Sequence, residues 1–114
     1  KVVKDKSLIV FSGTLRKKGK IFYNERRVEL FASGLLVYYH FDSPDEPLGN
    51  IELAKAQVMF NCGKNKASEL DDELRVESEM GENFIFKSSK KHTTSTNCKV
   101  LDWKKVIEQF SDHK

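Results

Sequence analysis

Seven short apolar runs, each bounded by turn chemistry and none separated from the next by a helix, fill residues 8–88. The first, Leu8 to Leu15, carries Ile9, Val10 and Phe11 in succession, and the loop Lys17-Lys18-Gly19-Lys20 follows it. Tyr23 to Phe31 is the second, and Ala32-Ser33-Gly34 turns into the third, Leu35 to Phe41. The segment Asp42 to Pro47 is expected to be a loop, because Pro44 and Pro47 each lack a ladder donor. Leu48 to Leu53, Gln57 to Cys62, Glu73 to Ser78 and Asn83 to Lys87 complete the set, with a polar loop over Gly63 to Asp71 and a tight turn at Met80-Gly81. Strands at this spacing bury their apolar faces by curling into two packed layers.

The period changes at the end of the chain. Val100, Trp103, Ile107 and Phe110 recur at helical spacing, predicting one amphipathic helix over about residues 97–111 with Ser95 or Thr96 as its N-cap. A lone terminal helix led by a tryptophan fits the open corner of a curled sheet, so Trp103 is expected in the core. The predicted fold is mainly β: a seven-stranded antiparallel β-sandwich or partly open barrel, capped by one C-terminal α-helix. Residues 8–111 form the domain, residues 1–7 a flexible tail, and the Ser/Thr-rich stretch from Ser88 to Asn97 a loop.

Charge is polarised along the chain. Residues 1–30 hold nine Lys or Arg against three acids, residues 42–82 hold four against eleven, and residues 83–114 hold seven against three. One basic face offered to an anion is the expected outcome. Cys62 and Cys98 lack any CxxC partner and are expected to be ordinary intracellular thiols. No run approaches the ~18 apolar residues of a membrane span. The opening Lys1-Val2-Val3-Lys4 has no signal-peptide core, so the chain is expected to be a cytoplasmic part of a longer protein. His40, His92 and His113 are scattered, and no glycine-rich phosphate loop, GxSxG or HxxxH occurs; the expectation is a binding module without cofactor or metal, not an enzyme. The acidic middle third argues against nucleic acid as a partner.

Gly13-Thr14-Leu15, the basic loop after it, Arg26-Arg27-Val28-Glu29-Leu30, Tyr38-Tyr39 and the helix with Trp103 together resemble the pattern of pleckstrin-homology (PH) domains. The likeness covers residues 11–53 and 97–110. Within the family, Arg16 to Phe22, the Tyr38-Tyr39 pair and the Gly49-x-Ile51 step are most similar to the PH domain that ends phosphoinositide-dependent protein kinases. The resemblance implies an open end ringed by the loops after strands one, three and six. It also implies a phosphoinositide headgroup or inositol phosphate as ligand there, recruitment to an anionic membrane surface, and a serine/threonine protein kinase as parent. It assigns the strand-one lysine to Lys17 and the last strand-two arginine to Arg26. Asn24 and Leu48 stand where the family pattern has basic residues, which puts the ligand, more than the fold, in question.

Strand parity tests those assignments. Arg26 shares the parity of Val28 and Leu30, and Lys17 that of Leu15, so both are expected to point inward at the mouth, where an arginine can hold a phosphate bidentately. Arg27 should face outward. Lys18 and Lys20 are expected at the hairpin tip within about one Debye length (~8 Å) of the other two, with Gly19 letting the backbone bend. Tyr39 is expected to offer its hydroxyl to a phosphate, and Lys87, Lys90, Lys91 and His92 to form a second basic patch away from the mouth. Asp42, Asp45, Glu46, Glu79 and Glu82 border the same mouth and oppose an anion. They keep open an alternative: a protein-binding or autoregulatory module that has lost lipid binding, its partner another protein or the kinase domain of the same chain.

Overall fold

The computed structural model describes residues 8–62, 72–90 and 97–110. Seven antiparallel strands form one sheet: β1 (Ile9–Lys18), β2 (Tyr23–Phe31), β3 (Leu35–His40), β4 (Ser43–Glu52), β5 (Gln57–Asn61), β6 (Glu73–Glu77) and β7 (Asn83–Ser88). A single 3-10 turn (Leu53–Lys55) joins β4 to β5, and the helix α1 (Val100–Glu108) follows β7. The strand order is β4-β3-β2-β1-β7-β6-β5, so the first and last strands pair in the middle while β4 and β5 lie at the two edges.

Alternation places Leu15, Val28, Leu30, Leu36, Ile51, Leu74, Val76 and Phe86 on one buried face. Val100, Trp103 and Ile107, one helical stripe, seal that face and are themselves fully buried. The Trp103 ring meets Phe11 edge-on at 4.7 Å between centroids. Its indole N–H donates to the Asn97 carbonyl at 2.7 Å. Asn97 adopts a left-handed φ of 47°, a conformation asparagine tolerates better than most residues, and its side-chain amide donates to the Ser12 carbonyl at 2.7 Å. The end of β7 and the residue after it complete the anchor. The Ser88 hydroxyl accepts from the Val100 N–H at 2.9 Å, satisfying a donor at the helix start, and the Ser89 N–H donates to the Cys98 carbonyl at 2.7 Å.

Several expected boundaries move. β1 runs on to Lys18, past Leu15, because the hairpin ladder continues through Lys17 and Lys18 to Tyr23. β4 begins at Ser43 and passes through Pro44 and Pro47, where a loop was expected. As an edge strand it can face donor-less positions away from its neighbour, and its register with β3 is irregular at Tyr38, Tyr39 and His40. The helix is shorter than residues 97–111 and starts after Lys99, since Asn97 cannot join a right-handed helix while holding its positive φ. The Asp102 carboxylate reaches back to accept from the Lys99 N–H at 3.1 Å. The expected caps Ser95 and Thr96, the tail 1–7 and the loop at Gly63 to Asp71 lie outside the described residues.

Trp103→Phe removes both ring volume and the N–H donor, and should lower the unfolding free energy by about 2 kcal/mol in urea denaturation. An unchanged midpoint would show that the helix is held by other contacts.

Candidate functional site

The site grows from the register of one hairpin. β1 pairs Leu15 with Arg26 and Lys17 with Asn24, and directly paired residues share a face. Leu15 faces the core, so Lys17 and Arg26 extend that face beyond its last buried layer. The structure thus brings these two predicted residues together at the open end. The Lys17 ammonium stands 5.0 Å from the centroid of Tyr38 and 5.6 Å from that of Phe84, so an aromatic floor lies beneath it. Burial, and then the charge of Arg26, pushes the Lys17 pKa below the usual lysine range. Arg26 donates from Nη1 to the Glu25 carbonyl at 2.9 Å. Among the described residues neither cation stands in an ion pair; those present join Lys55 to Glu52 and Arg75 to Glu73.

Tyr38, not Tyr39, belongs to this mouth. Val28 pairs with Tyr38 and Arg27 with Tyr39, so Tyr38 lies on the core side and Tyr39 on the opposite face. There the Tyr39 hydroxyl donates to Glu29 Oε1 at 2.7 Å. Burial, with the Glu29 hydrogen bond and charge behind it, pushes its pKa far above the usual tyrosine value. The expected hydroxyl donor at the mouth is therefore the neighbouring residue. Val37 misled the parity argument because it too is buried, but within a second cluster with Phe31 and Tyr39 on the far side of the sheet. Leu36, which shares the parity of Tyr38 and sits in the main core, carries the correct signal. Burial and the Glu82 charge raise the Tyr38 pKa while Arg26 lowers it, so an acid and a base both act on this ring.

Lys18 and Lys20 are exposed as expected, but Lys18 does not converge with Lys17. It pairs with Tyr23 on the outer face, because successive strand residues alternate sides. Lys20 lies in the turn, which the Gly19 N–H closes by donating to the Phe22 carbonyl at 2.8 Å. Asn24 occupies the space beside that turn: its Nδ2 lies 3.2 Å from where a Cβ on Gly19 would stand. Leu48 is exposed and falls in the irregular register between Pro47 and Gly49. Arg27 faces outward as its parity requires.

The outer face carries cations of its own. Arg16 and Lys87 lie 5.7 and 5.0 Å from the centroid of Tyr23, and Arg16 Nε donates to the Ser88 carbonyl at 2.6 Å. Of the expected second basic patch, Lys87 lies on this outer face and Lys90 is exposed with its backbone N–H donating to Glu25 Oε2 at 3.1 Å, while Lys91 and His92 lie outside the described residues; Arg16 was not among the residues expected there. Among the described residues no group of three or more His, Cys, Asp or Glu side chains could hold a metal ion, and no helix is long and apolar enough to cross a membrane.

Two substitutions probe this geometry. A Cβ on Gly49 would stand 2.6 Å from Tyr38 Cζ, so Gly49→Ala must push the Tyr38 ring off β4 and should cost about 1–3 kcal/mol by chemical denaturation. Lys17→Met keeps the apolar stem over the rings and removes the charge. Because the folded-state pKa of Lys17 is depressed, its protonated form weakens the fold at neutral pH, and that penalty fades as pH rises through the depressed value. Lys17→Met should therefore melt no lower than the parent at pH 7, with any advantage shrinking in alkaline buffer. A melting temperature several degrees lower would refute it.

No protein-family model matches the chain, and no curated protein does. Solved structures do match. The C-terminal PH domain of pleckstrin in complex with D-myo-Ins(1,2,3,4,5)P5 aligns with a TM-score of 0.69 at 18% identity, over 92% of this chain and 100% of that one. The C-terminal PH domain of human pleckstrin 2 gives 0.70 at 18% identity, over 100% and 91% of the two chains. The Slm1 PH domain in complex with phosphoserine gives 0.66 at 18% identity, over 90% and 95%. Strand order, helix position and these alignments agree: the chain has the fold of a PH domain.

Proposed function

We propose that the mouth between β1, β2 and β3 binds the phosphates of an inositol phosphate or phosphoinositide headgroup, making the chain a targeting module of a larger signalling protein. The observation that carries this is that Lys17 and Arg26, on neighbouring strands, share the inner face at the open end. Two like charges on one face, partly withdrawn from water and neither in an ion pair among the described residues, repel each other, and an anion between them would relieve that repulsion. Lys17 and Arg26 make the direct contacts, and Tyr38 offers its hydroxyl from the floor. Lys18 and Lys20, at the hairpin's end, add field toward an anionic surface at about 1 kcal/mol each. Micromolar affinity needs about 8 kcal/mol, so several charge-assisted hydrogen bonds of about 1.5–3 kcal/mol must supply most of it.

The solved structures similar to this chain support the ligand class, since two of them hold an inositol pentakisphosphate. A parent protein kinase, and a cytoplasmic home with recruitment to the plasma membrane, rest on the sequence likeness alone. A second reading draws on the acids: Glu82 acts on Tyr38 at the mouth, Asp42 is exposed in the turn before β4, and Asp45 and Glu46 are exposed on β4 itself. A rim of that sign suits a basic segment of a partner protein or of the same chain.

Titration calorimetry with soluble inositol pentakisphosphate separates the two. Combining Lys17→Ala with Arg26→Ala should abolish binding and leave the melting temperature nearly unchanged. Affinity retained in the double variant would remove the mouth as the anion site.

A further inference from the structure

β3 ends on a histidine at the mouth. In the β2–β3 ladder Leu30 pairs with Leu36, Val28 with Tyr38 and Arg26 with His40. Directly paired residues share a face, as do residues two apart on one strand, so His40 stands on the inner face with Leu36 and Tyr38. That face passes from core to solvent along β3: Leu36 is buried, Tyr38 half-buried and His40 exposed. One face of three neighbouring strands therefore presents Lys17 from β1, Arg26 from β2 and His40 from β3. Among the described residues the imidazole stands in no ion pair.

We infer that His40 is a third contact to the phosphates, joining Lys17 and Arg26 in its protonated form, so that affinity for the inositol headgroup rises as the solution turns acidic. An imidazole changes charge between about pH 5 and 8. Neutral, it offers a single N–H donor; protonated, it offers two donors and a positive charge, the form a phosphate oxygen prefers. Linkage fixes the sign: an anion that binds the imidazolium more tightly than the imidazole binds best where protons are available. Arg26, directly opposite on β2, and Lys17 on β1 repel an imidazolium at the bare mouth. A phosphate among the three turns that repulsion into attraction. The other charged and titratable neighbours are Tyr38 on the same face of β3, Asp42 in the next turn, and Asp45 and Glu46 on β4. Glu82, from the turn between β6 and β7, reaches the mouth through its charge on Tyr38. A substitution at position 40 leaves all of these in place. The inference rests on the reading of the mouth as an anion site and adds a control by pH to it.

The test is calorimetry with soluble inositol pentakisphosphate in buffers of about pH 8 and about pH 6, which bracket the usual imidazole range. A second arm measures sedimentation with phosphatidylcholine vesicles that carry phosphoinositide. Phosphate monoesters take up a proton themselves near pH ~6, and the chain has two further histidines, His92 and His113. The quantity read is therefore the ratio of parent to His40→Gln affinity, in which these shared effects cancel. That ratio should rise about three- to five-fold from the alkaline to the acidic buffer, the worth of one partly exposed charged contact. His40→Lys carries its charge in both buffers and should bind more tightly than the parent in the alkaline one. Position 40 is exposed at a strand end, so neither substitution disturbs the core. A ratio that stays level in both arms while the parent binds overturns the histidine contact and leaves the mouth reading intact, as does a lysine variant no tighter than the parent. A parent that binds neither ligand overturns both. A rise confined to one arm supports the contact and identifies the source of the headgroup, free or lipid-borne.

Discussion

Pairing Leu15 with Arg26 commits every side chain of the β1–β2 hairpin to one side or the other. A slip of one residue would send Lys17 to the outer face and bring Lys18 inward, and would at the same time expose Leu15. The slip is opposed by the core: Leu15, Val28 and Leu30 on these two strands are almost wholly buried. The geometry of the charged mouth is thus set by the buried apolar residues of the layer beside it, Leu15 pairing directly with Arg26. That division explains how two repelling cations can be kept together, since the repulsion is small beside the burial of three large side chains at ~1.5–3 kcal/mol each.

The helix serves the same end from the opposite direction. Trp103, Asn97, Ser12 and Ser88 link α1 to β1 and to the end of β7, so the closed end of the sheet is fastened by hydrogen bonds as well as by packing. Glu25 adds a tie on the outer face, where its carboxylate accepts from the Ser89 hydroxyl and the Lys90 N–H. Among the described residues no α-helix covers the open end. Its floor is Tyr38 and Phe84, two rings beneath the Lys17 ammonium group.

Much of this was legible in the chain itself. The helix stripe at Val100, Trp103, Ile107 and Phe110 and the inward parity of Leu15 and Val28 follow from local periodicity, which depends only on neighbouring residues. The fate of Tyr38 and Tyr39 did not follow, because β3 is covered on both faces and an alternating pattern with both phases apolar names no inner side. Lys18 was misjudged for a different reason. Where a strand ends determines whether the next lysine alternates or joins a turn, and the ladder outlasted the apolar run that announced it. The N-terminal part of β4 was hidden by its prolines, whose meaning depends on whether a strand lies at the rim or in the middle of a sheet.

Those prolines also bear on how the chain avoids its own kind. β4 is the outermost strand on one side, and a rim of unpaired amides and carbonyls invites a neighbouring molecule to add a strand. Pro44 and Pro47 have no amide hydrogen to offer such a zipper, and the register against β3 is uneven along the same stretch. Composition thus opposes self-assembly along that rim, which no α-helix covers among the described residues.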